Sequence, residues 1–362
     1  MTKHLTIDLR WIDASGVGTY IKGILPGLIS HLTDVSITGI GDAARIREFN
    51  WSQAPNFRTM DCRADRYSIA EQVQLPRAIP RTTDLFFSPY YTTPLLYTGK
   101  LAVTVHDLSH LLSEEITSDF RKKIYAKTMF RALVKRASII FTVSQFTKSE
   151  LLRYTNVRAS KVLPIHLGVA SEWRHARNVG ALRSQPYLIY VGNIKPNKNL
   201  GRLVEGFLRV RDRIPQDLVI VGQKDGFLTG ESSKLFDRIY EASDRIHLMG
   251  QVPYKDLLAL VGHADALIMP SLYEGFGLPP IEAMAAGVPA LVSTAASLPE
   301  VCGDAALYFD PLHEDQIGNA ILRIASDQSL RLSLREAGLR RSQQFTWDTC
   351  AEKTAHALLG CL

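Results

Sequence analysis

The sequence predicts an α/β protein of two domains, each a parallel β-sheet covered by helices. Short β-branched apolar runs alternate with amphipathic segments along the whole chain, which is typical of parallel sheets wrapped by helices. The runs are apolar from end to end, as strands buried on both faces are. A chain of 362 residues exceeds one ordinary core. We therefore expect two Rossmann-like halves, whose facing ligand-binding ends would form a deep cleft.

Ten strands are predicted from these runs, five in each half. In the first half they are 5–9, 35–40, 84–88, 101–105 and 138–144. In the second half they are 187–192, 217–222, 245–250, 265–271 and 289–294. Between the halves, 170–186 is the most linker-like stretch, so the predicted domains are 1–169 and 170–345.

Composition excludes several classes of protein. The chain is 46% hydrophobic and 22% charged, as soluble globular proteins are. No apolar run approaches the ~18–20 residues that span a bilayer, and the first residues lack the apolar core of a secretory signal. The four cysteines stand at irregular spacings, which favours reduced cytosolic thiols over a metal site or a disulfide framework. We expect a cytoplasmic protein.

Positive charge is concentrated in the first half. Residues 1–170 contain 22 Lys and Arg against 14 Asp and Glu, and residues 171–362 contain 20 against 22. A basic domain is expected to meet an anionic partner, for which nucleic acid, a membrane surface and a lipid phosphate are the candidates.

The stretch 121–136 contains seven of these basic residues and no acid. A solvated helix face is the commoner outcome for such a pattern. The alternative is docking to an anionic membrane or to a lipid-linked diphosphate. The residues proposed for that contact are Arg121, Lys122, Lys123 and Lys127. The apolar residues expected to face the core are Ile124, Phe130, Leu133 and Val134.

Three loops after predicted strands hold residue types that bind phosphorylated ligands. Gly16 and Gly18 are predicted to precede an amphipathic helix, where backbone amides can approach a phosphate, although a plain tight turn also explains them. His106 follows a buried strand, a usual place for a working residue, or it satisfies the strand end. Lys195 and Lys198 lie where a lysine can hold a diphosphate; the alternative is two solvated lysines.

Glu274 and Glu282 stand eight residues apart in "YEGFGLPPIEAMAAGVP". The two prolines suit a helix start, which would place Glu282 in the first turn and Glu274 on the loop before it. Gly275 and Gly277 let that loop pass close to a ligand. Backbone amides in this stretch can bind phosphate oxygens, and the two carboxylates can accept hydrogen bonds from sugar hydroxyls. This combination predicts that the ligand is a nucleotide sugar. A helix-dipole role for Glu282 beside a solvated Glu274 explains neither the glycines nor the spacing.

With these motifs the chain resembles the family 4 glycosyltransferases of the GT-B fold over nearly its whole length. The matching stretches include "GVGTYIKG", "VTVHDL", "TVSQFTKSEL", "YVGNIKPNKNL", "PSLYEGFGLPPIEAMAAGVPALVS", "SLPEVCGDAALYFDP" and "FTWDTCAEKT". The resemblance implies two Rossmann-like domains facing a deep cleft, with the last helix, 346–362, packed back on the first domain. The first half most resembles bacterial mannosyl- and rhamnosyltransferases of O-antigen or exopolysaccharide assembly.

The resemblance also implies roles for the matching residues. Glu274 would face the transferred sugar, Glu282 would hold the ribose, and Lys198 would bind the diphosphate. His106 would lie near the reacting centre, so the implied catalytic residues are His106, Glu274 and Lys198. The other implied donor contacts are Gly16, Val17, Gly18, Asn193, Met249, Gly275, Phe276, Gly277 and Leu278.

One position departs from the pattern. Many relatives carry an arginine where this chain has Asn193, so diphosphate binding would depend more on Lys198 or on backbone amides. Lys195 and Arg10 are candidates for the missing cation.

The implied reaction is a retaining transfer of a sugar, first of all mannose from GDP-mannose, to a hydroxyl of a glycan or polyprenyl-diphosphate-linked saccharide. The chain has no D-x-D triplet, so we expect no metal and no cofactor, with Lys198 and helix N-termini stabilising the leaving diphosphate. No obvious nucleophile is present, which suggests front-face attack. We expect no nucleic-acid partner, and possible attachment to the inner face of the membrane.

Alternatives stay open. The donor can instead be a UDP- or dTDP-sugar (GlcNAc, glucose, rhamnose). A GT-B sugar-nucleotide epimerase and a non-catalytic nucleotide-sugar-binding subunit would share the same motifs. An NAD-dependent oxidoreductase would need a third glycine where Ile21 stands, and leaves the two glutamates unexplained. A glycosidase holds two carboxylates roughly 5–10 Å apart across one bond, whereas Glu274 and Glu282 are expected to bind two different rings.

Overall fold

A computed structural model describes residues 2–112, 120–223 and 230–362. The chain divides into two compact units. Unit 1 comprises Met1–Gly168 and Phe345–Leu362, and unit 2 comprises Val169–Gln344. Each helix in the described part of the chain is too short or too polar to span a bilayer.

Unit 1 is built on a parallel sheet of buried apolar strands. Its strands are β1 (Lys3–Asp8), β2 (Val35–Gly41), β3 (Phe57–Asp61), β4 (Leu85–Ser88), β5 (Lys100–Val105), β6 (Ile139–Thr142) and β7 (Val162–Pro164). They lie in the order β3-β2-β1-β4-β5-β6-β7. The order reverses between β1 and β4, and ligands of open α/β sheets bind beyond the carboxyl ends of strands at such a switch point.

The helices of unit 1 before the crossing to unit 2 connect these strands. They are α1 (Ser15–His31), α2 (Ala43–Arg47), α3 (Ile69–Ala78), α4 (Ser109–Leu112), α5 (Phe120–Arg136) and α6 (Gln145–Tyr154). Because α1 begins at Ser15, Gly16 and Gly18 lie inside its first turn, whereas the sequence placed them before it. A Cβ at Gly18 would lie 2.4 Å from the Ile12 carbonyl oxygen, so packing requires glycine there.

Unit 2 repeats the arrangement. Its strands are β8 (Tyr187–Val191), β9 (Asp217–Val221), β10 (Ile246–Gly250), β11 (Ala266–Met269), β12 (Ala290–Ser293) and β13 (Ala306–Phe309). They lie in the parallel order β10-β9-β8-β11-β12-β13, so the switch point falls between β8 and β11. The helices are α7 (Leu200–Leu208), α8 (Gly230–Glu241), α9 (Tyr254–Gly262), α10 (Leu278–Ala285), α11 (Leu298–Cys302), α12 (Glu314–Ser326) and α13 (Gln328–Ser342).

The stretch expected to be a linker is partly built into unit 2. Ser171–Asn178 form a 3-10 helix in which Trp173 and Ala176 are buried. The Trp173 ring meets Tyr254 of α9 edge to face, with centroids 6.0 Å apart. A large buried aromatic anchors this segment in the core, so the linker prediction was wrong for these eight residues.

After unit 2 the chain returns to unit 1 and forms α14 (Trp347–Leu359), which packs on α1. Glycines of α1 face this helix. A Cβ at Gly23 would lie 2.3 Å from the Trp347 ring, and one at Gly27 would lie 2.5 Å from Ala351 Cβ. Two helices approach this closely only where one side chain is absent.

All ten predicted strands are present, with ends that shift by no more than two residues. Three strands of the described residues were not predicted, namely β3, β7 and β13, and each lies at the edge of its sheet.

Candidate functional site

The switch point of unit 2 brings two predicted residues together. Lys198 follows β8 and Glu274 follows β11, and these strands are neighbours in the sheet. Lys198 Nζ lies 2.5 Å from Glu274 Oε1, with 21% of the lysine side chain and 10% of the glutamate side chain exposed. A pair this shielded is attracted far more strongly than one in water. A phosphate bound at Lys198 would compete with this carboxylate.

Backbone hydrogen bonds hold the two loops against each other. Leu272 N–H donates to the Asn197 carbonyl at 2.8 Å, and the Asn197 side-chain amide donates to the Tyr273 carbonyl at 3.1 Å. Asn199 adopts a left-handed φ of 56°. Its amide donates to the Pro270 carbonyl at 3.0 Å and the Pro311 carbonyl at 2.8 Å. The loop that presents Lys198 is therefore fixed before any ligand arrives.

Ser297 holds the Glu274 loop in place through its side chain. Its buried hydroxyl lies 2.9 Å from the Glu274 carbonyl oxygen and 3.0 Å from that of Phe276, and its one proton is shared between them. The sequence prediction missed both Ser297 and Asn199. For Asn199 a signal existed, since asparagine is one of the few residues that tolerate left-handed backbone.

The glycine and proline pattern before α10 forms as predicted. Gly277 has φ of 98° immediately before the helix, and Pro279 and Pro280 occupy its first turn. Gly287 has φ of 69° just past the helix end. Phe276 is buried, while the first-turn prolines donate no amide hydrogen. Any backbone N–H that donates a hydrogen bond to a ligand at this helix start must therefore belong to the residues before the prolines.

Glu282 lies on α10 but not in its first turn, because the helix begins at Leu278 and Glu282 is its fifth residue. Burial raises the pKa of the Glu282 carboxyl to about 7, against the opposing hydrogen bond from Trp173. The same carboxylate contributes to the raised pKa of Tyr254, for which burial is the main cause. Glu282 can therefore change charge near neutral pH.

His106 stands at the end of β5 in unit 1, half-buried. Its Nε2 lies 2.9 Å from the Pro89 carbonyl oxygen. A carbonyl only accepts, so Nε2 carries the proton and Nδ1 is the accepting nitrogen. Burial lowers the pKa of His106, against the hydrogen bond to Pro89. The neutral imidazole is thus favoured. Its neighbour Asp107 accepts from Ser109 N–H at 2.8 Å.

Arg10, a candidate for the missing cation, is already paired with two carboxylates inside unit 1. Its guanidinium forms two hydrogen bonds to Asp8, of 2.9 and 2.7 Å, and one of 2.7 Å to Glu71. Burial acts to lower the pKa of Arg10, but the attraction of Asp8 and then Glu71 outweighs it and raises that pKa. Only 3% of the Arg10 side chain is exposed, so its donors are committed inside unit 1.

The remaining predicted donor residues are spread over both units. Gly16 is exposed, with nothing within 4 Å of a Cβ placed on it, and Val17 is half-buried. Asn193 and Lys195 are half-buried on the loop after β8, and Met249 is 42% exposed near the end of β10. No three His, Cys, Asp or Glu side chains in the described part of the chain are grouped to hold a metal ion.

The basic stretch forms α5, as expected. The side chains of Arg121, Lys122 and Lys123 lie outside the described residues. Lys127 is exposed. Phe130 and Leu133 face the core as predicted, but Ile124 is 49% exposed, so its assignment to the core was wrong. Ile124 shares its face with exposed Lys127, Arg131 and Lys135, spaced four residues apart.

Sequence comparison finds relatives over most of the chain. The family model described as "Glycosyl transferases group 1" matches residues 171–341. O-antigen chain mannosyltransferase B of Escherichia coli is 32% identical over 271 residues, 71% of this chain and 70% of that protein. Serotype-specific mannosyltransferase WbdA of Escherichia coli is 27% identical over 267 residues, and the match covers 70% of this chain but 32% of WbdA.

Solved structures share the fold over almost the whole chain. Sucrose-phosphate synthase from Thermosynechococcus elongatus superposes with a TM-score of 0.77 at 19% identity, covering 99% of this chain and 98% of that one. HepE of Anabaena, solved in complex with UDP-glucose, gives a TM-score of 0.74 at 16% identity, covering 99% and 100%.

Proposed function

The chain belongs to the group 1 glycosyl transferases, family 4, and has their α/β two-domain GT-B fold; on that basis we propose that it is a retaining, metal-independent mannosyltransferase. It would move mannose from GDP-mannose to a hydroxyl of a glycan or lipid-linked saccharide acceptor in cell-surface polysaccharide synthesis. The name of the Escherichia coli relative, an O-antigen chain mannosyltransferase, supports this choice of sugar and process.

The pairing of Lys198 with Glu274 at 2.5 Å is the observation that carries the proposal. Lys198 would bind the donor diphosphate and stabilise the negative charge that grows on it as the glycosidic bond breaks. Glu274, released from the ion pair, would accept hydrogen bonds from the hydroxyls of the transferred sugar. Glu282 would hold the ribose.

His106 is proposed as an orienting group at the reacting centre. Its Nε2 proton is held by Pro89, so the ring presents Nδ1 as a hydrogen-bond acceptor for a hydroxyl. In the proposed front-face transfer, an oxygen of the departing diphosphate takes the acceptor proton, the acceptor oxygen bonds to the anomeric carbon, and that carbon keeps its configuration. The neutral form of His106 suits this role, since it adds no positive charge near the acceptor hydroxyl.

Nucleotide binding and turnover together test the proposal. Thermal unfolding with GDP, UDP, dTDP and ADP should show one clear stabiliser, since a ligand at 100 times its Kd adds about 2.7 kcal/mol. We expect that ligand to be GDP. Incubation with GDP-mannose and a mannose-terminated acceptor should then release GDP and give an α-linked product by NMR. Absence of any shift at millimolar nucleotide would contradict the nucleotide-sugar proposal.

The same experiment separates the alternatives. Stabilisation by UDP or dTDP instead of GDP would indicate a donor with that nucleotide. The UDP-glucose complex of the similarly folded HepE makes UDP the first alternative. A sugar-nucleotide epimerase would change the sugar without an acceptor. A non-catalytic subunit would bind the nucleotide and never turn over.

We also propose that the protein works in the cytoplasm and attaches reversibly to the inner face of the membrane. The support is the exposed row of Ile124, Lys127, Arg131 and Lys135 on α5, in a half of the chain with excess positive charge. Such a basic face can bind anionic lipid headgroups.

A further inference from the structure

A cluster of aromatic rings lies at the switch point of unit 1. The aromatic cluster consists of Trp11, Tyr67, Tyr90, Tyr91 and Tyr125. Trp11 follows β1, Tyr90 and Tyr91 follow β4, and these two strands flank the switch point. The Trp11 centroid lies 4.3 Å from that of Tyr90 and 5.3 Å from that of Tyr67. The cluster thus occupies the place where an open α/β sheet binds its ligand.

The cluster adjoins His106. The centroid of the His106 ring lies 6.3 Å from that of Tyr90. On the other side, the guanidinium carbon of exposed Arg66 lies 4.6 Å from the Trp11 ring centroid. Trp11 itself is 5% exposed, and its indole N–H has no acceptor among the described residues. Aromatic faces, hydroxyls and a cation are therefore grouped beside the residue placed at the reacting centre.

A buried ionic network fixes this group. Glu71 is 1% exposed and accepts from Arg10 at 2.7 Å, from the Tyr67 backbone N–H at 3.0 Å, and from the Tyr125 hydroxyl at 3.0 Å. Arg10 is bound in turn to buried Asp8. Charged groups hidden from water are costly unless fully paired, and this network uses both oxygens of Glu71 to position the cluster.

Tyr67 is the most exposed member of the cluster. It is 43% exposed and has a left-handed φ of 63°, a conformation that is a genuine outlier for a bulky residue. Its hydroxyl lies 3.1 Å from that of Tyr90. Packing alone does not require a strained and exposed aromatic ring, and backbone strain of this kind gathers at ligand sites.

We propose that Tyr67 and Arg66, backed by the aromatic cluster, bind a sugar ring of the saccharide acceptor; this rests on the proposed function. The apolar C–H face of a pyranose packs against an aromatic face, whose π-electrons carry partial negative charge. Its hydroxyls accept hydrogen bonds from the Arg66 guanidinium. A prenyl chain leaves these polar groups without partners, and a free phosphate makes no use of the rings.

Saturation-transfer NMR on the whole chain tests the proposal, with α-1,3-mannobiose and methyl α-mannoside as saccharide probes and geranyl diphosphate as the lipid-diphosphate probe. Wild type should transfer saturation to the pyranose ring protons. Tyr67→Ala should weaken mannobiose binding about tenfold, the factor that about 1.4 kcal/mol produces. Tyr67→Phe keeps the ring and should bind nearly as wild type does.

Two further variants guard against trivial effects. Tyr67→Gly removes the ring and relieves the left-handed strain, so it should lose saccharide binding with a smaller loss of thermal stability than Tyr67→Ala. Tyr154→Ala is the matched control, because Tyr154 is also an exposed tyrosine of unit 1, at 47%, with an arginine guanidinium 5.3 Å from its ring centroid. It should bind mannobiose as wild type does.

The proposal is overturned if Tyr67→Ala and Tyr67→Gly bind mannobiose as wild type does, or if wild type binds neither saccharide. It is also overturned if only geranyl diphosphate binds in a Tyr67-dependent way. GDP, UDP, dTDP and ADP thermal shifts, run on the same samples, separate this failure from a failure of the proposed function. A variant that has lost mannobiose binding but keeps its nucleotide shift supports the inference.

Discussion

Lys198 and Glu274 satisfy each other's charge at a nitrogen–oxygen distance of 2.5 Å. In the proposed reaction the donor diphosphate would draw Lys198 from this pair, and the freed carboxylate would become available to sugar hydroxyls. Removal of either partner alone leaves a poorly solvated charge, which typically destabilises a protein by about 3–5 kcal/mol for a fully buried pair. The thermal stability of each variant at these residues must therefore be measured together with its kinetic constants.

Lys198→Ala should lower kcat about 10²–10³-fold, the usual cost of one electrostatic contact to developing charge. Steady-state kinetics with GDP-mannose, well below the melting temperature of the variant, checks this. Lys195→Ala, three residues earlier on the same loop, is the control and should keep most activity. If Lys195→Ala loses the activity and Lys198→Ala retains it, the leaving-group role moves to Lys195.

Glu282 should make donor binding depend on pH, because burial raises its pKa to about 7 against the Trp173 hydrogen bond. The ionised carboxylate is the better acceptor for ribose hydroxyls. As pH falls below about 7 the group protonates, and the donor KM should rise toward about tenfold per pH unit. A KM profile from acid to alkaline pH measures this.

Two variants check the source of that profile. Glu282→Gln cannot titrate, so its donor KM should be flat across the same range. Trp173→Phe removes the hydrogen bond that favours the carboxylate, so its rise in KM should begin at higher pH. A wild-type KM that does not change with pH would exclude Glu282 as the titrating donor contact.

Sequence reasoning at the residue scale proposed Glu274 and Glu282 from the eight-residue spacing between them. It proposed His106 and Lys198 from their positions after strands. It could not give the direct pairing of Lys198 with Glu274, because 76 residues separate them and only the sheet order brings their loops together. It also missed Glu71, since a lone acid in a helix is far more often a solvated side chain than the centre of a buried network.

At the scale of elements, prediction succeeded where strands are buried on both faces. Nine of the ten predicted strands lie inside their sheets, and the tenth, β10, is an edge strand. The three missed strands are also edges, and their burial is incomplete, as in β3, where only Phe57 is buried. Half-covered strands lose the end-to-end apolar signal, so three of the four edge strands were missed.

The exposed face of α5 predicts reversible membrane attachment. Lys127, Arg131 and Lys135 are all exposed, and about 1 kcal/mol for each cation near an anionic surface gives ~3 kcal/mol together. Co-sedimentation with phosphatidylglycerol vesicles should pellet wild type at low salt. The triple change of these residues to Gln should abolish pelleting, and salt should weaken it because the Debye length falls to ~3 Å at 1 M.

The matched control removes the same charge elsewhere. Arg213, Arg340 and Lys353 are exposed cations on other elements, and their triple change to Gln should leave pelleting intact. Arg136 is unsuitable for either set, because it donates to the Pro94 and Leu95 carbonyls. Equal pelleting of both triple variants would contradict membrane binding by α5 and favour the interpretation of its basic residues as a solvated helix face.

At the scale of the whole molecule, we propose that Lys198 and backbone amides neutralise the diphosphate without a divalent ion. Activity with GDP-mannose should therefore survive excess EDTA, measured as GDP release. The absence of a D-x-D triplet from the sequence motivates this expectation. Complete loss of activity with EDTA, restored by Mg²⁺ or Mn²⁺, would contradict it.

Because α14 belongs to unit 1 but follows unit 2 in the chain, the two units are completed at different times during synthesis. Unit 2 is one continuous segment, Val169–Gln344, whereas unit 1 lacks Phe345–Leu362 until unit 2 has been synthesised. At about 5–20 residues per second, the partner that α1 needs emerges roughly ten to thirty-five seconds after the rest of unit 1. The glycine-lined face of α1 is uncovered for that interval on the ribosome. The half with the continuous chain can complete its fold first, although it is made second.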